Sequence, residues 1–122
     1  MALLEEPPDS DPLPESEVSI SFEAGSALIT LSGEIDLAMA GGLEFVAEEA
    51  IVRALPVRVD LSRVTFMDSA GVGFVAALVR AGYDAGWQPT VIGPSRRVLE
   101  TLTLTGLVPF LEVQQTETPA RT

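Results

Sequence analysis

Residues 57–82 read VRVDLSRVTFMDSAGVGFVAALVRAG, and their changing period sets the class of the fold. Val57, Val59 and Leu61 alternate with Arg58 and Asp60, as in a strand with one buried face. Residues 62–68 then read as a connection carrying Phe66, Met67 and Asp68. From Ser69 the period becomes helical. Ala70, Val72, Phe74, Val75, Ala76, Ala77, Leu78 and Val79 put apolar side chains almost all round a helix expected to end near Gly82. Such a helix is either enclosed or turns an apolar side to a partner. Full enclosure is hard in a small domain, so the pattern favours a docking face beside Ser69.

Upstream, Val18, Ile20 and Phe22 alternate with Ser19, Ser21 and Glu23, a half-buried strand. Gly25-Ser26 is a turn, and residues 28–31 form the return strand of a hairpin. Gly33-Glu34-Ile35-Asp36 leaves that strand, and Asp36 can cap the next helix. That helix is expected over 37–53, with Leu43, Val46, Ala47, Ala50 and Ile51 as its apolar stripe and Pro56 beyond it. Downstream, 87–92 reads as a strand, with Pro89 arguing for a sheet edge. Ser95 caps a third helix carrying Val98, Leu99 and Leu102, Gly106 ends it, and 110–113 is a last short strand. The order is ββαβαβα plus a short final strand. This predicts an α/β domain with a mixed sheet and helices packed mainly on one face.

The folded unit is expected over 17–113. Residues 1–16 are rich in proline and acids and read as a disordered tail, and 114–122 as a second flexible tail. The 122 residues suffice for one domain, and 47% of them are apolar, so a core can form. Cysteine, histidine and lysine are all absent. That removes disulfides, thiolate chemistry, the usual zinc ligands and the usual neutral-pH proton shuttle. No catalytic residue, metal site or cofactor is expected. A net charge of -11 disfavours nucleic acid and anionic membranes as partners. The start of the chain lacks the features of a secretory signal, and the longest apolar run, 70–79, is half of the roughly 20 residues of a membrane span. A soluble cytoplasmic protein is the expectation.

Ser69 has two compatible readings. As an N-cap its hydroxyl would accept a backbone N–H two or three residues on. As an exposed hydroxyl at a helix start it could carry a phosphate, which would meet free N–H groups and the positive end of the helix dipole.

The sequence resembles the STAS domains of bacterial anti-sigma factor antagonists over nearly all of 17–113. The resemblance rests on Gly33-Glu34-Ile35-Asp36, on Asp60-Leu61 through Phe66-Met67-Asp68-Ser69-Ala70-Gly71-Val72-Gly73, and on 95–107 ending in Thr105-Gly106-Leu107. It implies that Ser69 is phosphorylated by the partner, an anti-sigma factor that is also a GHKL-type serine kinase. The unphosphorylated form would bind that anti-sigma factor and release a sigma factor, and a PP2C-type phosphatase would reverse the modification. Asp36 would lie near the phosphorylation site. The partner surface would comprise Asp36, Phe66, Met67, Asp68, Ser69, Ala70, Gly71, Val72 and Val75. The family usually has Ser or Thr where this chain has Ala70, so no second hydroxyl stands in for Ser69. The alternative within the family is an unphosphorylated STAS module that only binds, in a larger signalling assembly or with a small ligand.

Other motifs are weaker. Residues 71–76 match G-x-G-x-x-A, but ten residues separate Leu61 from Gly71, and the next strand carries no acid for a ribose. A serine hydrolase elbow fails because Met67 replaces its first glycine and no histidine exists. A phospho-accepting aspartate at Asp60 would require a lysine, which the chain lacks. Arg96 and Arg97 at the third helix start could grip a phosphate or an acidic partner, but a solvated face is the simpler reading, and Trp87 reads as edge packing.

Overall fold

The computed structural model describes residues 16–115. The tails expected over 1–16 and 114–122 fall almost wholly outside the described residues. A hairpin opens the fold. Strand β1 (Glu17–Glu23) turns at Gly25, whose φ of +81° suits glycine, and pairs antiparallel with β2 (Ser26–Ile35). A 3-10 turn, Leu37–Met39, leads to α1 (Ala40–Val52). There follow β3 (Val57–Met67), α2 (Ser69–Ala85), β4 (Thr90–Ile92), α3 (Arg96–Leu104), a 3-10 turn Val108–Phe110 and β5 (Glu112–Gln114).

The sheet order is β1-β2-β3-β4-β5, with all pairs after the hairpin parallel. Three successive parallel crossovers in one direction, each right-handed by rule, place all three helices on the same face. The register agrees. Ile20, Ile29, Val59, Val91 and Val113 form one row across the five strands, and its central residues are fully buried. The adjacent row, Ser19, Thr30, Asp60, Ile92 and Gln114, points the other way and nowhere reaches full burial. The inward row joins Leu43, Val46 and Ala50 of α1, Phe74, Val75 and Leu78 of α2, and Val98 and Leu102 of α3 in one core. Truncating one of its leucines to alanine removes contacts worth about 2–5 kcal/mol.

Several boundaries differ from those read in the sequence. β2 does not end at Leu31 but runs to Ile35, accommodating Gly33 with φ +80°. Residues 62–67 are not a connection: β3 continues through them to Met67. It gains two residues on β2 on the way, with register shifts between Thr30 and Ser32 and between Gly33 and Glu34. The Asp60 carboxylate holds the first irregularity, accepting from the Ser62 N–H at 2.9 Å and the Ser62 hydroxyl at 2.7 Å. Helix α2 passes through Gly82 and stops at Gly86, whose φ is +90°. β4 starts at Thr90, because at Trp87 the chain is still turning back on α2, the Trp87 N–H bonding the Gly82 carbonyl at 2.9 Å. β4 is also no edge strand; it lies between β3 and β5, and Pro89 sits just before it. The last strand is 112–114, because Val108–Phe110, with Pro109 inside it, forms a 3-10 turn. No helix among the described residues is long and apolar enough to cross a membrane.

Candidate functional site

The candidate site lies where β2 and β3 end side by side. Ile35 and Met67 are register partners, and the Asp68 N–H continues the ladder to the Ile35 carbonyl at 3.0 Å. Since β3 extends to Met67, one residue separates strand from helix. That residue, Asp68, is the N-cap of α2: its carboxylate accepts the Ala70 N–H at 2.7 Å, and its carbonyl accepts the Val72 N–H at 3.1 Å. Ser69 is therefore not the cap. It is the first residue inside the helix, which frees its hydroxyl from the backbone. The side chain is exposed, and its hydroxyl has no hydrogen bond among the described residues.

Asp36 repeats the arrangement one strand away, accepting the Ala38 N–H at 3.1 Å as cap of the 3-10 turn. It does not cap α1 directly, because the turn comes between them. The turn packs against α2 and leaves Leu37 75% exposed. Phe66 is 40% exposed, and the Arg97 guanidinium lies 5.9 Å from its ring centroid, within reach of a cation–π attraction. The pole around Ser69 thus presents two carboxylates, two exposed apolar side chains and one arginine. Leu37 escaped the sequence reading because it was counted as the first turn of a helix. Arg97 was read as part of a solvated face, and nothing local in the sequence links it to Phe66.

The residues singled out in the sequence divide into two groups. Asp36, Phe66, Asp68, Ser69, Ala70 and Val72 are exposed or half-buried. Met67, Gly71 and Val75 are buried and meet no solvent-side partner. Val75 belongs to the core. Met67 fills the space over Gly71, where a Cβ would stand 2.4 Å from the Met67 Cγ and 3.1 Å from Ile35 Cγ2. These three hold up the surface from beneath. The same contacts explain the glycine pattern at 71–76. β3 ends four residues before Gly71, closer than the sequence suggests, but the space at Gly71 that a dinucleotide would need is filled by Met67. Among the described residues no acidic group is clustered to hold a metal ion.

The profile of the family described as "Mlab, STAS domain" matches residues 18–112. The chain belongs to the STAS-domain family. Among solved structures, this STAS domain is similar to an anti-sigma factor antagonist from Mycobacterium paratuberculosis, with 28% identity over 92% of each chain and a TM-score of 0.68. It shares its fold with the anti-sigma factor antagonist SpoIIAA in its unphosphorylated form, at 24% identity over 81% of this chain and 89% of that one, with a TM-score of 0.71. The phosphorylated form of the Bacillus cell fate determinant SpoIIAA gives 22% identity, 81% and 92% coverage and a TM-score of 0.66. No curated protein matches the sequence significantly. The mixed sheet with helices on one face, read from the sequence, is the STAS fold.

Proposed function

We propose that this STAS domain is an anti-sigma factor antagonist controlled by phosphorylation of Ser69. The observation that carries the reading is the state of Ser69: an exposed hydroxyl with no hydrogen bond among the described residues, at the first position of a 17-residue helix capped by its neighbour. A kinase can reach that oxygen without unfolding anything. The likeness to solved anti-sigma factor antagonists supports the same role.

In this reading the unmodified pole docks on an anti-sigma factor that has GHKL-type serine kinase activity, and a sigma factor is released. Leu37, Phe66, Ala70 and Val72 supply the apolar contact, and Asp36 and Asp68 its polar rim. A phosphate on Ser69 adds about -1.5 to -2 charges beside the Asp68 carboxylate. The helix N-terminus offsets part of the repulsion, about 0.3–1 kcal/mol at an exposed site. The fold tolerates the group, but a partner surface would have to desolvate it, so binding fails. A PP2C-type phosphatase resets the cycle. The domain itself has no catalytic role, and the cytoplasm is its place of action.

The test uses the chain, the anti-sigma factor and ATP. Mass spectrometry should find phosphate on Ser69, and the phosphorylated form should bind the ADP-loaded partner at least tenfold more weakly. Stable binding without phosphorylation would leave a passive interaction module instead.

A further inference from the structure

The end of α2 remote from Ser69 carries a second concavity. Gly86 reverses the chain, and Trp87 folds back over Gly82, where a Cβ would lie 2.3 Å from the Trp87 carbonyl oxygen and 2.8 Å from its ring Cε3. Only a bare backbone at Gly82 lets the indole seat there. Beside it open two contiguous cavities of about 260 and 310 Å³, which share Val79, Tyr83 and Phe110. Trp87 and Gln88 lie at one end of this groove and Arg80 at the other. Tyr83 is 82% exposed and Phe110 50%, so two aromatic rings stand together in water. The Trp87 indole N–H is buried with no hydrogen-bond partner among the described residues, although buried donors as a rule have one. Arg80 is the charged residue of the lining. It makes no ion pair among the described residues, even with Asp84 one turn further on.

We propose that this groove binds a free medium-chain aliphatic carboxylate. Its carboxylate pairs with the Arg80 guanidinium, and its chain lies over Val79, between Tyr83 and Phe110, toward Trp87. The composition fits that class: an apolar trough with one unpaired cation at its end. Arg80 and Gly86 are about 9 Å apart along the helix axis, a span a medium acyl chain can cover. An alcohol offers Arg80 one uncharged acceptor, whereas a carboxylate meets its forked donors with two oxygens and the opposite charge. Trp87 lines the groove, so a bound chain that reaches it changes the surroundings of the indole. The groove begins at Ala76, about 10 Å along α2 from Ser69, so its occupancy does not contest the Ser69 surface.

Trp87 is the sole tryptophan, and its emission reports on the groove. The full chain is titrated with decanoate and with decanol, both below their aggregation limits. Decanoate should give a saturable change in emission and bind about tenfold more tightly than decanol. Arg80→Gln should erase that difference, and Tyr83→Ser or Phe110→Ser should weaken both ligands while circular dichroism stays unchanged. The proposal is overturned by the absence of a saturable decanoate response. Equal affinities for the two ligands that Arg80→Gln does not alter also overturn it. So does a dimer in sedimentation that Phe110→Ser converts to monomer, which would make the groove a face between copies of the chain.

Discussion

Asp36 and Asp68 occupy equivalent places on adjacent parallel strands. Each follows the last residue of its strand, Ile35 and Met67, which pair in register. Each carboxylate accepts the N–H two residues on, at 3.1 and 2.7 Å. One rule of chain geometry, a strand end passing straight into a capped turn, therefore brings two carboxylates to the same edge of the sheet. It also makes Ser69 the first residue that the helix does not need.

The two aspartates differ in what they hold. Asp68→Ala removes the cap of the 17-residue α2 and should destabilise the domain by about 1 kcal/mol. Asp36→Ala removes the cap of a three-residue turn and should cost less. Urea denaturation of the two variants checks the order; a larger loss for Asp36→Ala would show that the turn, not the helix, anchors the pole.

Gly71→Ala puts a methyl group against Met67 and Ile35. Overpacking of this kind costs about 1–3 kcal/mol. Since Met67 precedes Asp68, the shift that relieves it should also move the cap. Gly73→Ala meets nothing within 4 Å and should leave thermal stability unchanged or slightly raised. Melting temperatures of the two variants, read side by side, decide whether Gly71 is there for packing.

Val72 and Val75 separate binding from folding. Val75 is fully buried, and an aspartate there should abolish the folded state, since an unpaired charge would be enclosed. Val72 is half-buried at the edge of the pole, and Val72→Asp should fold with reduced stability and lose affinity for the anti-sigma factor. Circular dichroism followed by titration calorimetry distinguishes the two. Wild-type affinity in a folded Val72→Asp would place the partner contact elsewhere.

The order of elements was legible because strands and helices here keep clean periods. What was missed has identifiable physics. Along β3 the buried residues are Val57, Val59 and Leu61, then Val64 and Met67, so the period changes from two to three where the bulges insert residues. A rule of alternation therefore loses the strand at Ser62 and reads a connection. Asp68 and Ser69 are both good cap residues, and the choice between them depended on where β3 ended. Gly82 looked like a helix stop, whereas its bare backbone makes room for Trp87. The approach of Arg97 to Phe66 joins α3 to the end of β3, a tertiary contact with no local signature.

The proposed switch makes the sharpest prediction, because it demands that one modification leave the fold intact and end the binding. On Ser69 the phosphate meets an α2 start whose Ala70 and Val72 N–H groups are already taken by Asp68. The helix can therefore offer it less than a bare N-terminus would, and the melting temperature should change by only a few degrees. Arg97 reaches the ring of Phe66, three residues before Ser69, and Arg97→Ala should lower the melting temperature of the phosphorylated form more than that of the unmodified one. Ser69→Ala should bind the anti-sigma factor as the unmodified chain does and resist the kinase. Ser69→Glu, with one charge for nearly two, should fall between the two states in affinity. Ala70 carries no hydroxyl, so a chain with Ser69→Ala should take up no phosphate at the helix start. The decisive measurement is the pair of affinities, phosphorylated and unmodified, for the ADP-loaded partner at verified stoichiometry. Equal values in a folded phosphoprotein would remove the switch, because a dianion at the centre of a docking surface cannot be indifferent to being buried there.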